Sequence, residues 1–167
     1  MNWNKNFYQD VITPKEKLRH LLIHPKGKSV IDLGCNIGEV YTYVKQYGAL
    51  KYKGYDSNKE FIAEAIKRHG DNFECCDILN IKEFKADIVF ALGLFHHLND
   101  AEIKQLVLKI ECETLIVESP VLGERKEYNV RSIEQYQKLL KPYQLVDTVE
   151  SGFKTPPVIR KILIFQK

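Results

Sequence analysis

Short apolar runs alternate along this chain with stretches of helical spacing. Val30-Ile31-Asp32-Leu33 is the first run, and Gly34 closes it. Asp87-Ile88-Val89-Phe90-Ala91-Leu92 and Thr114-Leu115-Ile116-Val117 follow the same plan. A continuous apolar run bounded by turn residues marks a strand covered on both faces, as in a parallel sheet. Between the runs, apolar positions recur at intervals of three and four. Phe61, Ile62, Ala65 and Ile66 form one such face; Ile103, Leu106, Val107 and Ile110 a second; Ile133, Tyr136, Leu139 and Leu140 a third. Each has a start signal: Ser57 with Glu60, Asn99 with Glu102, and Ser132 with Gln135. Gly48, Gly70 and Pro142 are the stops.

The pattern predicts strands at residues 29–33, 52–56, 73–76, 87–92 and 114–117, the last closed by Glu118-Ser119-Pro120. Helices are predicted at 14–23 and 38–47, and on the three faces above. Residues 144–149 and 159–165 read as two more strands with only a turn-rich loop between them, so they form an antiparallel hairpin at the sheet edge. Five β-α units followed by a hairpin give an α/β fold with a mostly parallel sheet.

Length and composition narrow the class. At 167 residues the chain is long enough for one domain with a sizeable core. The net charge of +3 is too small to imply nucleic acid by itself. No apolar run reaches the length of a membrane span, and the first residues, Met1-Asn2-Trp3-Asn4-Lys5-Asn6, do not read as a signal peptide. The cysteines Cys35, Cys75, Cys76 and Cys112 show no metal-ligand spacing, so a cytoplasmic chain with reduced thiols and no metal is expected.

The chemistry sits around the first run. Gly34 and Gly38 mark a tight turn from strand to helix, and the second strand ends in Asp56, 18 positions past Gly38 (56 − 38). Such a unit brings backbone close to a ligand and then offers a carboxylate to a ribose diol, which implies a nucleoside-bearing cofactor. The spacing disfavours a nicotinamide dinucleotide. That fingerprint has three glycines, G-x-G-x-x-G, to receive a pyrophosphate. Here there are two, and Asn36 stands between them. Asp32, just before the turn, would repel a pyrophosphate and suits a cation such as the α-amino group of a methionine moiety.

With these residues in place, the chain resembles the class I S-adenosylmethionine-dependent methyltransferases from about Ser29 to the C-terminus. V-I-D-L-G-C-N-I-G resembles the family's first motif, Asp56 the acid ending strand two, and Asp77 in C-C-D-I-L the acid after strand three. A-D-I-V-F-A-L-G-L-F-H-H-L, from Ala86 to Leu98, resembles the fourth-strand motif. The resemblance implies a single Rossmann-like, doubly wound, seven-stranded sheet, with the last strand inserted antiparallel between the fifth and sixth. An N-terminal helical or flap segment, residues 1–28, would precede the methyltransferase-like domain, residues 29–167. The resemblance also implies S-adenosylmethionine as cofactor.

The candidate cofactor residues are Asp32, Gly34, Cys35, Asn36, Gly38, Asp56, Ser57, Asp77, Ile78 and Leu92. Asp56 would accept from both ribose hydroxyls, and Asp77 from the adenine amino group with the Ile78 backbone at the ring edge. Cys35 and Asn36 would act through backbone groups. Each acid has a bland alternative as a turn or capping residue. His96 and His97 follow the fourth strand at the carboxyl end of the sheet, where ligands bind. Either could take a proton from a hydroxyl or amine, His96 being the better placed, or could simply pack. Trp3, Phe7 and Tyr8 are a candidate flap. Glu118, Arg125, Lys126, Glu127, Tyr128 and Arg131 are candidates to line an acceptor pocket.

The function expected is methyl transfer to an oxygen or nitrogen nucleophile, the acceptor being a small molecule or a macromolecule. Nucleic acid is weakly supported, and no membrane partner is expected. A homodimer through an apolar hairpin edge, or a partner subunit, stays open. So do a non-catalytic S-adenosylmethionine-binding subunit and a nucleotide-linked oxidoreductase of the same layered architecture.

Overall fold

The computed structural model describes residues 25–151 and 157–167. The expected helix at 14–23, the aromatic residues Trp3, Phe7 and Tyr8, and most of the loop before the last strand lie outside the described residues. In chain order the elements are β1 (Ser29–Leu33), α1 (Glu39–Gln46), β2 (Lys51–Asp56), α2 (Lys59–His69), β3 (Phe73–Cys75), β4 (Phe84–Lys85) and β5 (Ile88–Leu92). There follow α3 (Asp100–Val107), β6 (Ile110–Glu111), β7 (Thr114–Leu122), α4 (Ile133–Leu139), β8 (Gln144–Glu150) and β9 (Ile159–Gln166).

Seven strands form one sheet in the order β3-β2-β1-β5-β7-β9-β8. β9 runs antiparallel between β7 and β8, and the remaining pairings are parallel. The chain winds outward from β1 through β2 to β3, then returns to β5 on the other side of β1. The loops after β1 and β5 therefore meet at a topological switch point, the usual place for a ligand in an open α/β sheet. Asp87 fixes the β1–β5 register from the opposite end. Its carboxylate accepts from the Ser29 amide at 2.6 Å and hydroxyl at 2.7 Å, and its own amide donates back to Ser29 Oγ at 2.9 Å.

Alternate residues of the strands feed two cores. Ile31, Leu33, Val89, Leu115 and Val117 pack with Ile103, Leu106 and Tyr136 from α3 and α4. Val30, Tyr52, Ile88, Phe90 and Ile116 pack with Val44, Ile62 and Ala65 from α1 and α2. This two-sided burial is the reason the strands read as unbroken apolar runs.

Capping boxes form as expected at Asn99/Glu102 and Ser132/Gln135. Ser132→Ala should lower stability by about 1 kcal/mol in urea unfolding, since the Gln135 amide loses its acceptor. No change would mean that the box does not hold the start of α4.

Four expectations need correction. Asn58, not Ser57, caps α2, taking the Glu60 and Phe61 amides at 2.9 and 3.2 Å. The Asp56 carboxylate binds the Asn58 amide and turns the chain one residue later than the Ser57 signal suggests. The connection from β3 to β5 holds no α-helix: a single 3-10 turn, Ile78–Asn80, leads into β4, which pairs with β6. Third, β7 does not stop at Val117. Glu118, Ser119 and Pro120 pair with Ile162, Lys161 and Arg160 of β9, and a register shift between Pro120 and Leu122 accommodates the proline. Last, the hairpin's outer edge is not flat and apolar. β8 is the edge strand, with exposed Asp147 and Glu150 beside Val146 and a bulge between Leu145 and Asp147; the charges and the bulge discourage edge-to-edge pairing.

Candidate active site

The turn after β1 is closed on itself. The Gly34 and Cys35 amides both donate to the Tyr55 carbonyl, at 2.8 and 3.0 Å, and the Gly38 amide donates to the Cys35 carbonyl at 3.0 Å. The Asn36 amide donates to Asp56 Oδ2 at 3.0 Å, and the Ile37 amide to Asn36 Oδ1 at 2.7 Å. All five amides of residues 34–38 are thus engaged within the protein. A pyrophosphate cradle needs free amides there, and Glu39 adds a carboxylate to the first turn of α1. The same bonds engage the Cys35 and Asn36 amides within the protein, so of the backbone groups expected at a cofactor these two are already taken.

The glycines serve packing as much as approach. Gly34 and Gly38 have φ of +75° and +78°. A Cβ on Gly34 would meet Leu94 Cδ1 at 3.3 Å, across the switch point. One on Gly38 would stand 2.6 Å from Phe73 Cζ. Asn36 also takes a left-handed conformation, φ 51°, which asparagine tolerates better than most residues. It does not cap α1, whose N-cap is Gly38.

Asp56 joins the two loops of the candidate ribose site. Oδ2 holds the Asn36 amide and Oδ1 the Asn58 amide at 2.9 Å, so each oxygen has one backbone donor and spare acceptor capacity. Ser57 is exposed beside it, and its carbonyl lies 3.7 Å from Cys75 Sγ. The Cys76 amide donates to the Asp56 carbonyl, bringing the end of β3 to the same place. Asp77 is exposed and caps the 3-10 turn, accepting from the Leu79 amide at 2.9 Å and from Asn80 Nδ2 at 3.3 Å. The Ile78 side chain is buried in the core, leaving only its backbone for a ligand. Leu92 ends β5 half-buried, opposite Glu118 of β7.

Asp32 is wholly buried and accepts a hydrogen bond from Tyr52 Oη at 2.8 Å. Burial pushes its carboxyl up to about 7; the charge of Asp56 adds to the rise and the Tyr52 bond opposes it. Because the folded state holds this proton more tightly than the unfolded chain, Asp32 favours folding at low pH. That contribution fades as pH rises from about 4 to about 7, with a slope approaching 1.4 kcal/mol per unit. Urea titrations across this range should show the loss, and Asp32→Asn should flatten it. An unchanged slope in the variant would assign the pH dependence elsewhere. A ligand cation beside Asp32 would act in the opposite sense, drawing the proton off and binding more tightly as pH rises toward 7.

A second polar cluster lies at the carboxyl ends of β5 and β7. His96 is buried and its ring centroid is 4.1 Å from that of His97 and 4.2 Å from that of Tyr128, which meets it edge-on. Burial, then the positive neighbours His97, Arg160, Arg125 and Arg131, hold the His96 imidazolium down to about 2, so the ring is neutral. His97 is exposed, and burial followed by Arg160 lowers it below the usual histidine range. The loop residues predicted to line a pocket divide by role. Arg131 is a buried staple, donating to Asp100 and to the Phe95, Leu98 and Asn129 carbonyls. Arg125 lies 4.7 Å over the Tyr128 ring and pairs with Glu127, while Lys126 is exposed. Glu118 is inside the fold, in a bidentate ion pair with Arg160 at 2.6 and 2.7 Å. Arg160 was not singled out by sequence; it is one of two adjacent cations, with Lys161, at the start of an apolar strand.

This fold and turn have clear relatives. The Methyltransferase domain family matches residues 31–111, a span that holds Asp32, the glycine turn, Asp56, Asp77 and both histidines. The tRNA U34 carboxymethyltransferase of Campylobacter lari is 23% identical over 124 residues, covering 68% of this chain and 43% of that protein. The chain thus spans less than half the length of that curated relative. Among solved structures, magnesium protoporphyrin IX methyltransferase from Synechocystis, with bound S-adenosylmethionine, superposes with a TM-score of 0.76 at 20% identity, covering 100% of this chain and 86% of that one. An S-adenosylmethionine-dependent methyltransferase from Mesorhizobium loti gives 0.73 at 12% identity, covering 93% and 98%. At such identities the structural likeness speaks for the fold. The fold is the one these S-adenosylmethionine-dependent methyltransferases share, and within it the methyltransferase-domain match covers residues 31–111, just under half of this chain. Among the described residues, no helix is long and apolar enough to cross a membrane.

Proposed function

We propose that this chain moves a methyl group from S-adenosylmethionine to an oxygen or nitrogen nucleophile. One observation carries the cofactor choice: the glycine turn has no free amide for a pyrophosphate, while two carboxylates, Asp32 and Asp56, flank it. That donor set suits a ribose and a cation. Asp56 would accept from the ribose hydroxyls with its spare lone pairs. Asp77 and the Ile78 backbone would meet the adenine edge. Asp32, with Tyr52, would favour the ammonium. When bound, S-adenosylmethionine supplies a methyl group on a sulfonium, a donor already activated, so alignment does much of the work.

On the acceptor side the two histidines divide the labour. His97, exposed and neutral at pH 7, is suited to take the proton that the nucleophile loses. His96, buried beneath Tyr128, shapes the wall. The Campylobacter relative's name brings RNA into the acceptor list beside small molecules and proteins. The test is transfer from methyl-labelled S-adenosylmethionine into separate RNA, protein and small-molecule fractions. The reading expects label in one fraction, lost in Asp56→Ala and reduced in His97→Ala. Tight binding with no label anywhere would favour a non-catalytic cofactor-binding subunit.

A further inference from the structure

We propose that the buried Glu118–Arg160 pair is a positioning device for the acceptor side, fixing the turn at Gly93 and the environment in which His96 presents its Nδ1. Its use in methyl transfer rests on the function proposed above; its effect on His96 does not. As a source of stability the pair is a poor choice. Both side chains are almost fully buried, at 4% and 3% exposure, and desolvating two charges offsets most of their attraction.

Its location is more telling. Glu118 stands opposite Leu92, the last residue of β5, and its carbonyl accepts the Gly93 amide at 2.9 Å. A Cβ on Gly93 would lie 3.7 Å from both Arg160 Nη2 and Glu118 Oε2, and 4.0 Å from His96 Cε1. Ion pair, turn and imidazole therefore converge on one point at the carboxyl end of the sheet. Ser151 Oγ donates to Glu118 Oε1 at 2.8 Å from the far side. The Arg160 guanidinium lies 5.7 Å from the Tyr128 ring, which covers His96.

His96 Nδ1 is buried with no hydrogen-bond partner among the described residues. Unmatched buried polar atoms are rare and often belong to functional groups. Among the described residues, the charged or titratable groups around this ring are His97, Arg125, Arg131, Arg160, Glu118 and Tyr128. Arg131 is tied to Asp100 and three carbonyls, and Arg125 to Glu127. Glu118 and Arg160 offset each other's charge at this point. Removing the guanidinium takes a positive charge from beside the imidazole and leaves the Glu118 carboxylate, with its Ser151 bond, nearby, which invites the ring to take up a proton. Removing the carboxylate leaves a cation there, which does the opposite.

The test reads the His96 ring nitrogens by nuclear magnetic resonance between about pH 5 and pH 8. In the wild type, His96 should stay neutral throughout. Arg160→Met should bring its titration midpoint into that window, and Arg160→Lys should restore the neutral ring. Glu118→Gln should keep the ring neutral but displace its resonances, because the Arg160 guanidinium loses the opposing carboxylate charge. Should Arg160→Met fail to fold, Glu118→Gln against the wild type and Arg160→Lys carries the test through the displaced His96 resonances. Wild-type His96 titrating in the window, or variants that lose stability with unchanged His96 signals, would overturn the proposal and leave the pair a structural element. S-adenosylhomocysteine affinity, measured in parallel, should move less than about twofold. Absence of any such binding would count against the proposed function while leaving the His96 result standing.

Discussion

Asp56→Ala should weaken S-adenosylmethionine binding by about 100-fold or more, measured by calorimetry. Two hydrogen bonds from ribose hydroxyls to an ionised carboxylate contribute about 1.5–3 kcal/mol each, and every 1.4 kcal/mol is tenfold in affinity. The carboxylate also anchors both loops of the site through the Asn36 and Asn58 amides. Truncation leaves those amides to find water or distort the turn, so some loss of stability should accompany the loss of affinity. Asp56→Asn keeps one acceptor oxygen and should fall between the wild type and the alanine variant. A loss under about threefold in Asp56→Ala, well below one charge-assisted bond, would mean that the ribose is held elsewhere.

Gly38→Ala should be the more damaging change to the fold, by about 3 kcal/mol. A left-handed φ of +78° costs a residue with a Cβ about 1–2 kcal/mol. The new methyl would also stand 2.6 and 2.8 Å from two ring carbons of Phe73 and 2.9 Å from His69 Cδ2. Overpacking of that kind adds about 1–3 kcal/mol. Phe73 is buried in the aromatic cluster with Tyr41 and Tyr52, so it has little room to yield. The expected fall in Tm is about 6–12 °C for a chain of this size. Gly27→Ala separates the two causes. Its φ is +70°, yet a Cβ there meets nothing within 4 Å, so only the backbone penalty applies. Equal losses in the two variants would show that packing against Phe73 contributes nothing.

The sheet was legible in the sequence because its strands are buried on both faces, and Ile31, Val89 and Leu115 carry that signal with no long-range information. The capping boxes at Asn99 and Ser132 were equally local. What escaped was set by distant partners. Ser57 and Asn58 are both good capping residues, and the bond from the Asn58 amide to Asp56 decides between them. Glu118-Ser119-Pro120 reads as a strand terminator, and only pairing with β9 keeps it in the sheet. The Glu118–Arg160 pair joins residues 42 positions apart, a coupling that no local pattern reveals. At the site itself, residue types pointed to Asp32, Asp56 and the glycine turn. That every amide of the turn is engaged within the protein became visible only with the Tyr55 carbonyl and the Asp56 carboxylate in place.

The central claim is that this turn receives S-adenosylmethionine and rejects a dinucleotide. Calorimetric titration of the wild-type protein with S-adenosylmethionine and, separately, with NAD tests it most directly. The account predicts saturable one-to-one binding of S-adenosylmethionine, tighter as pH rises toward 7, and no heat of binding with NAD. Binding of NAD in place of S-adenosylmethionine would contradict it.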